Sequence, residues 1–145
     1  MIHIPYVAGG SVLLGALYNQ LSGAFVYGPM FGKVWVEAMN KDKGGEAWQQ
    51  EAKDKQDLPI LLVKEFFFNF GKAWVTGLLL NLTQARTVSQ AAQLGAFLYF
   101  GVLVPTILSE SMWEKRPYDL QKFKFLSGFS STVLLSIIMH SWGTA

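Results

Sequence analysis

Glu65, Asn69, Lys72 and Thr76 stand at offsets of 0, 4, 7 and 11 in a stretch dominated by Phe, Leu and Val. On an α-helix these offsets share one face, so a carboxylate, an amide, an ammonium and a hydroxyl line up within an apolar segment. Ionisable groups in such surroundings are costly and often mark an ion, proton or solute pathway. The same residues permit a blander arrangement, with Lys72 snorkelling toward water and an ion pair formed locally. Two other polar residues interrupt apolar runs, Asn19 and His140. Asn19 suits either a ligand contact or an interhelical hydrogen bond, the commoner use of such a group between membrane helices. Asn19, Glu65, Asn69, Lys72, Thr76 and His140 are therefore the candidates for a polar intramembrane site.

Other chemistry finds little support. The 145 residues include no cysteine, which excludes disulfides, thiolate metal sites and cysteine nucleophiles. His3 and His140 are the two histidines. A pair of imidazoles could ligate a haem iron or another metal, but no further ligand recurs beside them. A place at the headgroup level is much the simpler reading of both, and no metal site is assigned. Phosphate-binding loops, nucleotide fingerprints and zinc helix motifs are missing, so no cofactor is expected and an enzyme is the least favoured class. A net charge of +2, without a basic stripe interleaved with aromatics, argues against nucleic acid.

The elements that must position the candidates are marked out by where charge is excluded. The first 32 residues contain no Asp, Glu, Lys or Arg. Four apolar windows, about 6–27, 58–82, 88–109 and 123–142, are long enough to cross a hydrocarbon core of about 30 Å. The N-terminus lacks the basic region of a secretory signal, so the first window reads as a retained span. Ser11, Gly15, Asn19 and Gly23 recur every four residues on it, and Gly128, Thr132, Ser136 and His140 do the same on the fourth. Stripes of small residues let helix backbones approach, so the first and fourth spans are expected to pack together. Leu14, Leu17, Leu21 and Phe25 suit lipid. Gly95 and Gly101 permit close packing of the third span, and Pro105 predicts a kink or an early end there.

Between the first two spans lies a polar loop, 33–57, the most highly charged segment. It opens with a short amphipathic helix over 30–39, which brings Phe31, Trp35 and Met39 near one side at the membrane interface. A second short helix is expected around 46–55. A further loop, 110–122, carries Glu110, Glu114, Lys115, Arg116 and Asp119. Its charges could hold a lipid headgroup, though a solvated turn is the simpler reading.

At the first span's exit the sequence reads Tyr27-Gly28-Pro29-Met30-Phe31-Gly32-Lys33-Val34-Trp35. Gly-Pro ends or kinks a helix, and the flanking rings and lysine suit the headgroup zone. This motif resembles the signature after the first span in the membrane family called domain of unknown function 1761. Gly101, Pro105-Thr106 and Arg116-Pro117 resemble that family's third-helix exit. The resemblance covers roughly residues 6–142 and implies architecture without an activity. Two features depart from its pattern: the 40–57 loop is longer and more charged, and Lys115 stands where a small residue is expected.

The sequence thus points to one all-α domain, 1–145. It is an integral membrane bundle of four transmembrane helices, with a short interfacial helix and a charged loop after the first span. Nine basic residues (33, 41, 43, 53, 55, 115, 116, 122 and 124) fall in or beside loops 33–57 and 110–122, against Arg86 alone on the other side. The positive-inside rule places both loops on the cytoplasmic or equivalent face of an unspecified organelle. Expected partners are the lipid bilayer and a second copy or another membrane protein. Two functions fit: a structural or accessory membrane component, or a small-solute carrier, channel or ligand-binding protein with a polar crevice between spans. A cavity gathering at least three of Asn19, Glu65, Asn69, Lys72 and His140 would favour the second.

Overall fold

Thr87-Val88-Ser89-Gln90 shows how local chemistry sets a helix start. The Thr87 side chain accepts from the Gln90 backbone N–H, and the Gln90 side chain accepts from that of Thr87. This reciprocal cap satisfies two donors that the first turn leaves unpaired. The computed structural model describes residues 2–26, 32–44, 58–115 and 118–143, and all regular structure among them is helical. We name the helices α1 (Gly9–Phe25), α2 (Gly32–Lys43), α3 (Leu58–Leu82), α4 (Val88–Glu114) and α5, which begins at Tyr118 and continues to Gly143. The helix expected around 46–55 lies outside the described residues.

Several boundaries differ from those the sequence suggests. α1 begins at Gly9, after an extended segment whose Tyr6 carbonyl accepts a 2.8 Å hydrogen bond from Asn81 Nδ2. α4 does not stop near Pro105 or at 109 but runs to Glu114. A π-helical turn over Tyr99–Leu103 widens the backbone just ahead of the proline. Wide turns of this kind occur inside α-helices where the regular ladder is interrupted, and proline cannot donate to the carbonyl one turn back. The 110–122 loop is correspondingly short, because 110–114 close α4 and 118–122 open α5.

Lys115 ends α4 in the left-handed region, φ 53° and ψ 40°. A side chain there costs roughly 1–2 kcal/mol, which explains why a small residue is expected at this position. Lys115→Gly should stabilise the protein by about 0.5 kcal/mol, since glycine's greater unfolded-state freedom offsets part of the relief. Thermal unfolding in detergent measures this, and a lower midpoint than the parent would refute it.

The helices leave one end of the bundle closed and the other open. Val7, Val12, Ala73, Leu80, Ala91, Leu135 and Met139 form the buried cluster at the closed end. Small residues make the closeness possible. A Cβ on Gly15 would lie 2.8 Å from Ala73 Cβ, and one on Gly77 would lie 2.6 Å from Val7 Cγ1. α1 packs chiefly on α3 and more lightly on the far half of α5. Gly128 and Thr132 of α5 face α4: a Cβ on Gly95 would meet Val133 Cα at 2.5 Å and the Thr132 carbonyl at 2.7 Å. Gly128 likewise faces Leu103 and Tyr99. Gly128 lies ahead of both π turns, Ser130–Leu134 and Met139–Gly143, so the stripe is already turned toward α4 before the first of them. Gly101 has no heavy atom within 4 Å of its would-be Cβ, so it mediates no close contact.

Large apolar side chains stand bare on each of these helices. Leu13, Leu17, Leu21 and Phe25 of α1, Phe67, Phe68 and Trp74 of α3, and Phe97, Phe100 and Leu108 of α4 are exposed, while Leu14 is half-buried. Two helices, Val88–Glu114 and Leu120–Trp142, are long and apolar enough to cross a membrane. Only 22% of the apolar window in the first is buried, far less than the core helix of a water-soluble fold requires. α1 spans 17 residues, and α3 carries Lys64, Glu65, Asn69 and Lys72, so these two do not meet the same measure.

Candidate functional site: a polar crevice at the charged end

The open end is where α1 stops, α3 starts, α4 stops and α5 starts. Antiparallel packing brings the second half of α1, the first halves of α3 and α5, and α2 around a crevice of about 480 Å³. Its wall includes Asn19, Glu65, Asn69 and Lys72, four of the five side chains whose gathering favours a ligand-binding protein. α2 packs on the first part of α5, and Trp35 and Met39 line one flank of the crevice.

Each candidate has a distinct setting. Asn69 is 4% exposed, and its Nδ2 donates to Gln20 Oε1 at 2.8 Å. Gln20 Nε2 in turn donates to the Leu62 carbonyl at 3.2 Å, so one glutamine fastens α1 to two turns of α3. Asn69 therefore does not bridge Glu65 and Lys72. Those two charges are exposed on the crevice wall, with no hydrogen bond or ion pair to either among the described residues. Asn19 is 6% exposed, and neither of its amide atoms has a hydrogen-bond partner. An unpaired buried amide costs about 1–3 kcal/mol. Thr76 is buried and donates back to the Lys72 carbonyl at 2.8 Å, away from the crevice. His140 is half-buried in the last turns of α5, at the closed end.

The resemblance motif divides. Gly32 opens α2, Lys33 is exposed and Trp35 reaches the crevice, whereas Tyr27, Gly28, Pro29, Phe31, Arg116 and Pro117 lie outside the described residues. Pro105 and Thr106 line a separate surface groove of about 500 Å³ with Ser109, Glu110, Trp113 and Glu114. An ion pair of 2.5 Å between Lys124 on the crevice wall and Glu110 on the groove wall links the two. No group of three or more His, Asp or Glu side chains able to hold a metal occurs among the described residues.

Sequence reasoning missed Gln20, Ser22, Lys124, Ser127 and Ser131, all of which line the crevice. Ser127 and Ser131 are four apart on α5 and could have been found by periodicity. Ser22 joins a hydroxyl cluster that depends on tertiary geometry, with Ser130 Oγ 2.7 Å from Ser22 Oγ and 2.6 Å from the Tyr18 hydroxyl.

Comparison with known families decides where this arrangement belongs. The model of the family described as "Protein of unknown function (DUF1761)" matches residues 11–140. The chain belongs to that family. It is also similar to a UPF0591 membrane protein of Schizosaccharomyces pombe, 27% identical over 143 residues that cover 97% of this chain and 94% of the relative. No solved structure matches. The match from residue 11 to 140 takes in all five helices, at least in part, and the whole crevice wall.

Proposed function

We propose that this is a multi-pass membrane protein that binds a small ligand in the crevice between α1, α2, α3 and α5. The observation that carries the reading is one lumen bordered by Glu65, Lys72, Asn69 and Asn19, the first two without partners among the described residues. Charged groups inside a membrane protein are retained where they face a polar cavity, and a cavity of this size suits a small solute or a lipid headgroup. All four long helices are proposed to cross the bilayer, α1 and α3 with their polar sides turned inward. Support comes from the bare apolar faces on each and from the membrane protein among the relatives. The basic loops then lie on the cytoplasmic or equivalent side, and the crevice opens toward it. A structural or accessory role is the second reading, favoured by the tight contact of Gly95 with Val133, which makes α4 and α5 a rigid unit.

The absence of native cysteine makes the test clean. Single cysteines at Ser127 and Ser131 should react with a water-soluble maleimide in sealed vesicles, from the same side as one at Lys33. Cysteines at Leu17 and Phe67, on bare apolar faces, should not react, and one at Arg86 should react only from the opposite side. Protection of both serine positions would remove the crevice as a binding site, and reaction of Lys33 and Arg86 from one side would remove the topology.

A further inference from the structure

The charges on the crevice wall have a composition that selects a ligand class. Lys124 is neutralised by Glu110, which leaves Glu65 and Lys72, of opposite sign, without partners among the described residues. A lone anion would gain Lys72 and face Glu65, and a lone cation would meet the reverse. A ligand bearing both charges satisfies both groups. We infer that the crevice binds a zwitterionic phospholipid headgroup, with its ammonium at Glu65 and its phosphate at Lys72. This inference rests on the proposed role of the crevice as a ligand site.

The order of the two charges along α3 favours a lipid over a free zwitterion. Glu65 is seven residues nearer the charged end, about 10.5 Å along the axis at 1.5 Å per residue. Lys72 is the deeper group, and helical side chains lean toward the N-terminus, which here is the direction of Glu65. In a zwitterionic phospholipid the phosphate adjoins the hydrocarbon and the ammonium lies farther out, the same sequence from the membrane outward. Leu62, Met39 and Leu120 supply an apolar wall beside these charges. Trp35, of the residue type best suited to hold a cation, lines the same crevice. The unpartnered Asn19 amide offers further donors and an acceptor once the wall relaxes around an occupant.

Native mass spectrometry of the full chain tests this, in micelles doped with phosphatidylethanolamine or phosphatidylglycerol of matched acyl chains. One phosphatidylethanolamine should be retained in preference to phosphatidylglycerol. Lys72→Leu should weaken retention by about tenfold or more, the loss expected for one charge-assisted contact. Glu65→Gln should erase the preference while leaving phosphatidylglycerol binding intact, and Lys64→Leu, which lies off the crevice wall, should change neither. Size-exclusion profiles matching the parent establish that each variant is folded. Equal retention of both lipids by the parent would overturn the zwitterion while leaving a ligand crevice. Displacement by free phosphoethanolamine, with no lipid retained, would overturn the lipid source. Retention of lipid with no effect of either crevice substitution would place the lipid elsewhere and overturn the inference, whereas failure of the serine-position labelling would remove the crevice itself.

Discussion

Gly95→Ala destabilises this protein by about 1–3 kcal/mol, the usual cost of overpacking, although alanine is the better helix former by roughly 1 kcal/mol. The added methyl would sit 2.5 Å from Val133 Cα, 2.7 Å from the Thr132 carbonyl oxygen and 2.9 Å from the Val133 nitrogen. All three are backbone atoms, so no rotamer change relieves the collision and α4 must move away from α5. In lipid that contact is held by van der Waals packing, which a shift of an ångström largely forfeits. Gly95→Leu should be worse, to the point of preventing recovery of a folded monodisperse protein. Gly101→Ala is the matched control on the same helix, with nothing within 4 Å to meet the new methyl. It should be neutral or slightly stabilising. The fraction surviving a heat step, read by size-exclusion chromatography, compares the two, and equal behaviour of Gly95→Ala and Gly101→Ala would refute the close approach.

That pair also marks how far the sequence could be read. Both glycines lie in an apolar run and look alike on paper, since the backbone that faces each is all that distinguishes them. α3 was legible from Leu58 to Leu82 because its apolar run is continuous apart from one polar face, and a helical period identified the residues that share it. Glu65, Asn69 and Lys72 do stand on one wall. Thr76 belongs to the same face by period, yet lies beyond the crevice floor, where α1 and α5 have already closed on α3.

α5 was less legible for a physical reason. A stripe of small residues marks a face that a backbone can approach, and leaves open which neighbouring helix meets it. Gly128 and Thr132 stand at the α4 contact, while Ser130, outside the stripe, reaches Tyr18 and Ser22 on α1. Proline punctuation misled for a different reason: a widened turn before Pro105 let α4 continue to Glu114. Lys115, by contrast, departs from the expected small residue at a position whose positive φ explains the expectation.

Gln20→Leu should cost about 1–3 kcal/mol, because Asn69 would keep its buried amide and lose its acceptor. Interhelical hydrogen bonds between membrane helices average nearer about 0.6 kcal/mol, which places the expected value toward the lower end. The Leu62 carbonyl adds little, since it is only an extra acceptor on the α3 backbone. Asn69→Leu should cost a similar amount by stranding the Gln20 carbonyl oxygen, and the double variant less than the sum. Replacing both partners leaves no orphaned polar group and adds apolar contact between α1 and α3. A double-mutant cycle on thermal stability should therefore give coupling of about 0.5–2 kcal/mol between Gln20 and Asn69, with opposite sign to the single losses. The same cycle on Glu65 and Lys72, measured without ligand, should give none, since no direct contact joins them. Adding the zwitterionic lipid should then introduce coupling between Glu65 and Lys72 through the bound headgroup, while the Gln20–Asn69 value stays fixed. Strong lipid-free coupling between the two charges would mean that they already pair with each other, and would leave the crevice without unpartnered groups to offer a ligand.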